Sequence, residues 1–323
     1  MSAVRTPFPF IVGRGRSGTT LVRALLDSHP EMAVVQEAHF LVPLAAARRR
    51  FEKPEGFDPA AFLKPLRDHR SFFRLDMTAD EVAEALSTAP PASVADAIRA
   101  IYGRYAARRG KARYGDKTPG QVVHIDMLAR LFPEARFVHV IRDGRDSTLS
   151  YLDASFGPTS VAEGAVYWKR FVAAGRRSGA ALGPAHYHEV RYEDLVAEPE
   201  RLLREICSFI ELPYDAAMLR YHERADELVG KIHHNLARPP TSGIRDWRKD
   251  MRPADVTLFE ALAGDLLGDL GYERAVPRIG SADRARAIGA RLKINASRML
   301  RRTRGSGREA SPQPVGSPGE AQR

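Results

Sequence analysis

Residues 8–20 read Phe-Pro-Phe-Ile-Val-Gly-Arg-Gly-Arg-Ser-Gly-Thr-Thr, a short apolar run followed by a glycine-rich turn. The run predicts a buried strand, and the apolar residues that recur at helical spacing between Leu21 and Leu26 predict a helix after the turn. A strand, a glycine-rich turn and a helix start together form an anion site from backbone N–H groups and the positive end of the helix. This stretch therefore predicts a phosphate-binding loop at the edge of a sheet.

The loop differs from that of a nucleotide kinase in one residue. Gly13, Gly18 and Thr20 fit the P-loop spacing, but Thr19 stands where the pattern requires lysine. That lysine would reach the β- and γ-phosphates of a nucleoside triphosphate, whereas here Arg16 supplies a cation earlier in the loop. We expect the loop to bind a 5′-phosphate that does not belong to a triphosphate on magnesium. A small-molecule kinase remains the alternative at this point.

The rest of the chain predicts an α/β fold. Further strand-like runs occupy residues 32–36, 136–141 and 187–191. Helical patterns occupy residues 19–28, 95–108, 121–132, 144–153, 199–211 and 253–269. This alternation predicts a P-loop-type parallel β-sheet flanked by helices. Residues 40–112 show helical patterns without a clear strand, which predicts a helical cap and a place for an acceptor pocket.

A second anion motif follows the run at 136–141. The chain continues as Arg-Asp-Gly-Arg-Asp-Ser-Thr-Leu-Ser, from Arg142 to Ser150. If a helix begins at about Gly144, Ser150 lies roughly two turns along it, so that Arg142 and Ser150 could converge on one anion. Two phosphate sites predict a nucleotide with phosphates at both ends of its ribose.

With both motifs in view, the sequence resembles sulfotransferases that use 3′-phosphoadenosine 5′-phosphosulfate (PAPS), in particular the tyrosylprotein sulfotransferases and their bacterial relatives. The Arg-Ser-Gly-Thr-Thr stretch at 16–20 resembles the 5′-phosphosulfate loop of this family, and Arg142 with Ser150 resembles its 3′-phosphate motif. Three further segments agree: Gln-Glu at 36–37, Gly-Asp-Lys-Thr-Pro at 115–119 and Arg-Tyr-Glu-Asp-Leu at 191–195. The resemblance covers residues from about 8 to 275.

The resemblance implies a reaction and a site. A sulfuryl group would move in line from PAPS to a hydroxyl acceptor, with Glu37 as the general base and with Arg16 and Lys117 stabilising negative charge. The residues implied to bind PAPS are Arg16, Ser17, Gly18, Thr19, Thr20, Arg142, Ser150, Tyr192, Ser242 and Arg245. No metal is expected. The acceptor stays open among sugars, lipids, peptides and small metabolites, and Ala154 stands where the tyrosylprotein branch has a further arginine.

Two of these residues have a plainer interpretation. Glu37 could be a surface carboxylate at the end of a strand. Lys117 could be a solvated lysine, because a Gly-Asp-Lys-Thr-Pro segment is also typical of a turn. Both interpretations remain open from the sequence.

Charge and composition limit the partners. The net charge is +10, but residues 281–323 hold ten Lys/Arg and three Asp/Glu, so this tail carries +7. The body is therefore unremarkable in charge, and nucleic acid is not an expected partner. A nucleotide-binding protein on a membrane surface is a second alternative, because Arg284 to Arg304 predict a basic helix with an apolar side.

We expect a sulfotransferase domain over residues 1–277 and a basic tail over 278–323, partly disordered after about 305. A single cysteine, Cys207, and an N-terminus without a signal-peptide pattern predict a cytoplasmic enzyme. Contact with the inner membrane face through the tail, and formation of an oligomer, are left open.

Overall fold

Five parallel strands form the central sheet of the protein. A computed structural model describes residues 6–154, 157–224 and 246–303 of the chain. Its strands are β1 (Phe8–Gly13), β2 (Met32–Gln36), β3 (Glu52–Lys53), β4 (Gly56–Phe57), β5 (Arg113–Lys117), β6 (Ala135–Ile141) and β7 (Tyr187–Arg191). The sheet has the order β2-β5-β1-β6-β7, and β3 pairs with β4 in a short antiparallel hairpin. The predicted parallel α/β fold is confirmed.

Helices lie between the strands and continue after the last of them. The α-helices are α1 (Thr19–Asp27), α2 (Leu41–Ala46), α3 (Pro59–Arg67), α4 (Ala79–Thr88), α5 (Val94–Ala107), α6 (Ile125–Leu131), α7 (Gly144–Leu152), α8 (Val161–Leu182), α9 (Tyr192–Ala197), α10 (Pro199–Phe209), α11 (Trp247–Asp250), α12 (Pro253–Asp269) and α13 (Ser281–Thr303). Short 3₁₀ helices occupy Arg48–Arg50, Phe72–Leu75, Pro119–His124 and Ala216–Arg224.

The sheet separates two apolar cores, because successive side chains of a strand point to opposite faces. On one face, Phe8, Phe10 and Val12 of β1 pack with α5 and with the apolar residues of the cap. On the other face, Ile11 packs with α1 and α10. Burial on both faces explains why β1 reads as a continuous apolar run in the sequence.

Strand β5 was not predicted from the sequence, and neither was helix α8. Strand β5 lies between β2 and β1, and its register pairs Asp116 with Val35 and Phe10. Glycine, aspartate and lysine are depleted in strands, so its sequence gives no strand signal. Lys117 is fully buried, and the interpretation of this segment as a turn with a solvated lysine is wrong.

The region at 40–112 is mainly helical, as predicted, but it also contains the β3–β4 hairpin. Helices α3 and α4 begin at side-chain caps: the Asp58 carboxylate accepts from the Ala61 N–H, and Thr78 and Glu81 form a reciprocal capping box. Its buried residues, such as Phe62 and Leu66, belong to the same apolar core as β1. Cap and sheet therefore share one core.

The outer edge of β2 is fixed by side chains of α1. The Val34 N–H donates to Asp27 Oδ1 at 2.6 Å, and Arg23 Nε donates to the Val34 carbonyl at 3.2 Å. These bonds occupy backbone groups that would otherwise be unpaired at a sheet edge. The strand that leads into Glu37 is thereby held in place.

The chain divides into two units by its contacts. The first consists of Met1–Arg142 with Phe171–Ile244 and contains the sheet; the second consists of Asp143–Arg170 with Arg245–Arg323. Helix α13 lies against α12 in the second unit, close to the bounds that the sequence predicts for a basic helix. The predicted domain boundary at 277–278 remains a prediction, and the segment predicted to be disordered lies outside the described residues.

A buried arginine organises the second unit. Arg145 is fully buried and donates to Asp143 Oδ1 and Oδ2 at 3.0 and 2.7 Å and to Glu260 Oε1 at 2.8 Å. Its guanidinium carbon lies 3.6 Å from the centroid of the Trp247 ring. Because a buried charge needs such partners, Arg145 ties the start of α7 to α11 and α12.

Candidate functional site

The turn after β1 has the backbone of an anion-binding loop. Gly13 and Gly18 have φ angles of 154° and 96°, and Arg16 between them has a φ of 67°. A Cβ on Gly13 would lie 2.5 Å from the Val140 carbonyl oxygen, so this position requires glycine. The loop leads directly into the N-terminus of α1, where N–H groups and the helix dipole favour negative charge.

Three predicted donor-binding residues lie together at this loop. A Cβ on Gly18 would lie 2.3 Å from a ring carbon of Tyr192, which shows that the tyrosine ring rests on the loop. The guanidinium carbon of Arg142 lies 4.5 Å from the centroid of the same ring. Tyr192 begins α9 and Arg142 follows β6, so the fold brings together residues from three distant parts of the sequence.

The other loop residues differ in exposure. Ser17 is fully buried, and its Oγ has no hydrogen-bond partner among the described residues. Thr19 is buried, whereas Arg16 and Thr20 are partly exposed. A buried hydroxyl without a partner is costly, and a ligand in the loop would supply one.

Glu37 and Lys117 form an ion pair at the same edge of the sheet. Lys117 Nζ lies 3.1 Å from Glu37 Oε1; the lysine side chain is 0% exposed and the glutamate side chain 24%. Lys117 ends β5 and Glu37 follows β2, and the Glu37 N–H donates to the Lys117 carbonyl at 2.7 Å. Because β1, β2, β5 and β6 are parallel, both residues lie at the carboxyl edge together with the loop.

The second carboxylate oxygen of Glu37 faces an arginine and a histidine. Arg74 Nη2 lies 3.8 Å and His39 Nε2 3.9 Å from Glu37 Oε2. Neither residue was predicted from the sequence. His39 is two positions from Glu37 and could have been suspected, whereas Arg74 comes from the cap and carries no sequence signal.

The surroundings hold Glu37 ionised. Burial raises the pKa of the Glu37 carboxyl. The charge of Lys117 and then the contact with His39 lower this pKa by more than burial raises it, so that it lies well below its usual range. Burial lowers the pKa of Lys117, although Glu37 opposes this. The interpretation of Glu37 as an ordinary surface carboxylate does not fit a residue that is largely buried beside a buried lysine.

Asp116 has a different environment from its neighbour Lys117. Its side chain is fully buried and accepts a hydrogen bond from the Tyr102 hydroxyl at 2.8 Å. Burial raises the pKa of Asp116 to about 7, against the effect of that hydrogen bond. Adjacent residues of a strand point to opposite faces, so Asp116 lies on the cap side of the sheet, away from Lys117.

Three further residues were predicted to bind the donor. Ser150 lies in α7, in the second unit, and its role remains a prediction. Ser242 and Arg245 lie outside the described residues. Among the residues that the structure describes, no group of three or more His, Cys, Asp or Glu could hold a metal ion. None of the described helices is long and apolar enough to cross a membrane.

Comparisons with known proteins agree on one family. The model of a sulfotransferase family matches residues 7–216. Protein-tyrosine sulfotransferase 1 of Danio rerio is 30% identical over 281 residues, which cover 83% of this chain and 72% of the relative. The nodulation protein NoeE of Sinorhizobium fredii is 26% identical over 324 residues, covering 89% and 73%.

Solved structures show the same fold. The sulfotransferase domain of the Synechococcus PCC 7002 olefin synthase gives a TM-score of 0.58 at 23% identity, covering 83% of this chain and 95% of that domain. The sulfotransferase domain of the curacin biosynthetic pathway gives 0.59 at 17% identity, covering 83% and 99%.

Proposed function

We propose that this chain, which belongs to the sulfotransferase family, transfers a sulfuryl group from PAPS to a hydroxyl acceptor with Glu37 as the general base. One observation carries the proposal: Glu37 and the fully buried Lys117 form an ion pair at the same sheet edge as the phosphate-binding loop. This supports a scheme in which a base and a cation lie near the acceptor hydroxyl and the reacting end of a bound nucleotide. Because the chain belongs to the sulfotransferase family, we no longer favour the alternative of a small-molecule kinase.

The donor would be bound through its phosphates. The N–H groups of the loop and the start of α1 favour the 5′-phosphosulfate, and Thr19 in place of lysine argues against a triphosphate. Ser17 Oγ, buried without a partner among the described residues, supports an anion at this position. Tyr192 and Arg142, stacked beside Gly18, support a second anion contact, and we assign Arg142 with Ser150 to the 3′-phosphate as the resemblance implies. The proposal also keeps Ser242 and Arg245 as residues that contact the donor.

The transfer itself needs a proton acceptor and charge stabilisation. The acceptor oxygen forms a bond to sulfur while the bond from sulfur to the 5′-phosphate oxygen breaks, and the hydroxyl proton passes to Glu37. The leaving phosphate gains negative charge, which Lys117 and Arg16 would stabilise. A sulfuryl group carries less charge than a phosphoryl group, so side-chain cations are sufficient in this scheme.

Lys117 would couple donor binding to proton transfer from the acceptor. In the free protein it neutralises Glu37, which keeps the pKa of the carboxyl low and makes it a weak base. The negative charge of a bound donor would compete for Lys117. As the lysine shifts toward the donor, the pKa of Glu37 would rise and the carboxylate would become a better proton acceptor.

The ion pair predicts the pH dependence of kcat/KM, which reports groups of the free enzyme. A base works only when ionised, so activity is lost as pH falls through the pKa of that base. Because the pKa of Glu37 is lowered, we expect no acid limb from Glu37 between about pH 5 and 7, where a base tuned to neutrality would titrate. Steady-state kinetics across this range, with Glu37→Gln as the comparison, check the expectation. An acid limb in this window that Glu37→Gln abolishes would contradict it.

The assignment of Arg142 makes a separate prediction about donor binding. A charge-assisted hydrogen bond contributes about 1.5–3 kcal/mol, so Arg142→Ala should weaken binding of adenosine 3′,5′-bisphosphate by roughly ten- to a hundredfold. Adenosine 5′-phosphosulfate lacks the 3′-phosphate, and its affinity should change little. Calorimetric titration measures both, with Arg130→Ala on an exposed site of α6 as the control. Equal losses for both ligands would show that Arg142 supports the fold and not the phosphate.

The acceptor is the part of the proposal that needs a direct search. Incubation with PAPS labelled in the sulfuryl group, against panels of sugars, lipids, peptides and phenolic metabolites, should label one class. The rate of labelling should fall by about 10²–10⁴-fold with Glu37→Gln. Failure to label any class by a protein that binds PAPS would reject sulfuryl transfer to hydroxyls and leave only the nucleotide site.

A further inference from the structure

Exposed apolar side chains are concentrated on one helix. Among the described residues, the large hydrophobic side chains that are exposed are Phe73, Ile288, Leu292, Met299 and Leu300. All but Phe73 belong to α13, where Ile288 is 52%, Leu292 61% and Met299 71% exposed. A single exposed hydrophobic residue is ordinary, but a contiguous row of them on one helix indicates an interaction surface.

Ile288, Leu292 and Met299 are exposed, so the row lies away from the packed side of the helix. The packed side of α13 carries Ala287, which is buried, and the partly buried Ala290 and Ile294. At about 100° per residue, Ile288, Leu292 and Met299 lie roughly a third of a turn away from Ala287. Helix α13 thus has two apolar sides, one that packs on the protein and one that faces outward.

Basic residues border the outward side. Arg284 and Arg291 lie between the packed side and the apolar row, and Arg286 and Lys293 lie on the far side of the row. All four are exposed. Asp283 is the single acidic residue in the sequence of this helix. An apolar row flanked on both sides by cations is the pattern of a helix that lies in the surface of an anionic membrane.

We propose that the outward face of α13, formed by Ile288, Leu292 and Met299 and flanked by Arg284, Arg286, Arg291 and Lys293, docks on an anionic lipid surface. The apolar row enters the boundary between headgroups and acyl chains, and the flanking cations contact the headgroups. The proposal does not depend on the reaction at Glu37.

Charge and composition favour this occupant over three others. A second copy of the chain would bring like charges together at the contact. Nucleic acid would use the cations but leave the apolar row exposed to water. The segment that follows α13 directly, residues 304–323, contains Val315 as its one large apolar residue, so this segment offers little to cover the row.

Co-sedimentation of the full chain with vesicles tests the proposal. One set of vesicles contains phosphatidylcholine alone, and the other contains phosphatidylcholine mixed with phosphatidylglycerol. We expect binding to the anionic vesicles to exceed binding to the neutral ones by at least about fivefold for each flanking cation that contacts the surface. Added salt should weaken the association. Equal or absent binding to the two vesicle types would overturn the proposal.

Two double variants separate the apolar row from the charges. Ile288→Ser with Leu292→Ser should reduce anionic-vesicle affinity by about tenfold or more, since each loses apolar burial in the membrane. Arg284→Gln with Arg291→Gln should reduce it by about fivefold per residue. Phe73→Ser and Arg130→Gln are the matched controls, because both residues are exposed elsewhere.

The variants also identify the other occupants. The side chains changed in the two double variants are exposed, so the melting temperature of each variant should equal that of the native protein. A lowered melting temperature would reveal a folding defect. Loss of self-association in analytical ultracentrifugation, with unchanged vesicle binding, would assign the face to a second copy. Vesicle binding that responds to the arginine variants and not to the apolar variant would show simple charge attraction and contradict docking of the apolar row.

Discussion

Glu37→Gln should lower turnover by about 10²–10⁴-fold while donor affinity changes little. The substitution keeps the shape of the side chain, and the amide oxygen can still accept a hydrogen bond from Lys117. It removes the group that takes the proton from the acceptor hydroxyl. Single-turnover kinetics with labelled PAPS, together with calorimetric titration of adenosine 3′,5′-bisphosphate, measure the two quantities separately.

The acceptor and a neighbouring carboxylate supply the controls for this variant. An acceptor with a more acidic hydroxyl should recover part of the lost rate, because it ionises with less help. Glu31→Gln changes an exposed glutamate before β2 and should leave turnover unchanged. A rise in the Michaelis constant of the acceptor with turnover nearly intact would show that Glu37 only orients the acceptor, and the base would then have to be another residue.

Lys117→Met should reduce turnover by about 10²–10³-fold, the usual effect of removing a group that stabilises transition-state charge. It should also change the pH profile. Without the nearest cation, burial would raise the pKa of Glu37, so the carboxylate would become protonated as pH falls and an acid limb would appear in kcat/KM. The native protein should lack this limb.

An exposed lysine is the matched control. Lys53 lies in the hairpin of the cap and pairs with Asp58 at the surface, where such pairs contribute about 0–1 kcal/mol. Lys53→Met should therefore leave both turnover and the pH profile unchanged. A Lys117→Met protein with normal turnover would refute the role of Lys117, while a normal profile with reduced turnover would limit that role to the leaving group.

The strands that pack on both faces of the sheet were predictable from the sequence. β1, β2 and β6 are apolar runs, because their side chains enter cores on both sides. β5 was not predictable, since its Asp116 and Lys117 are selected for partners in the folded protein and not for strand propensity. The strand with the weakest local signal carries the proposed catalytic lysine.

The residues of the candidate site that directly follow a strand were predictable from the sequence. The contacts that depend on the packing of distant segments were not. The phosphate loop and Glu37 come directly after strands, so their position at the carboxyl edge follows from the alternation of strands and helices. Arg74 reaches Glu37 from a 3₁₀ helix of the cap, and the stacking of Tyr192 on Gly18 joins residues far apart in the sequence. No local pattern encodes such contacts.

The most direct test of the sulfotransferase proposal compares two nucleotides by the melting temperature of the full chain. Adenosine 3′,5′-bisphosphate, the product left by PAPS, should fill both proposed phosphate sites. At a hundredfold excess over its dissociation constant it would stabilise the protein by about 2.7 kcal/mol. ATP with magnesium at the same concentration should raise the melting temperature far less, because the loop has Thr19 in place of the lysine that binds a triphosphate. Equal or greater stabilisation by ATP with magnesium would contradict the account.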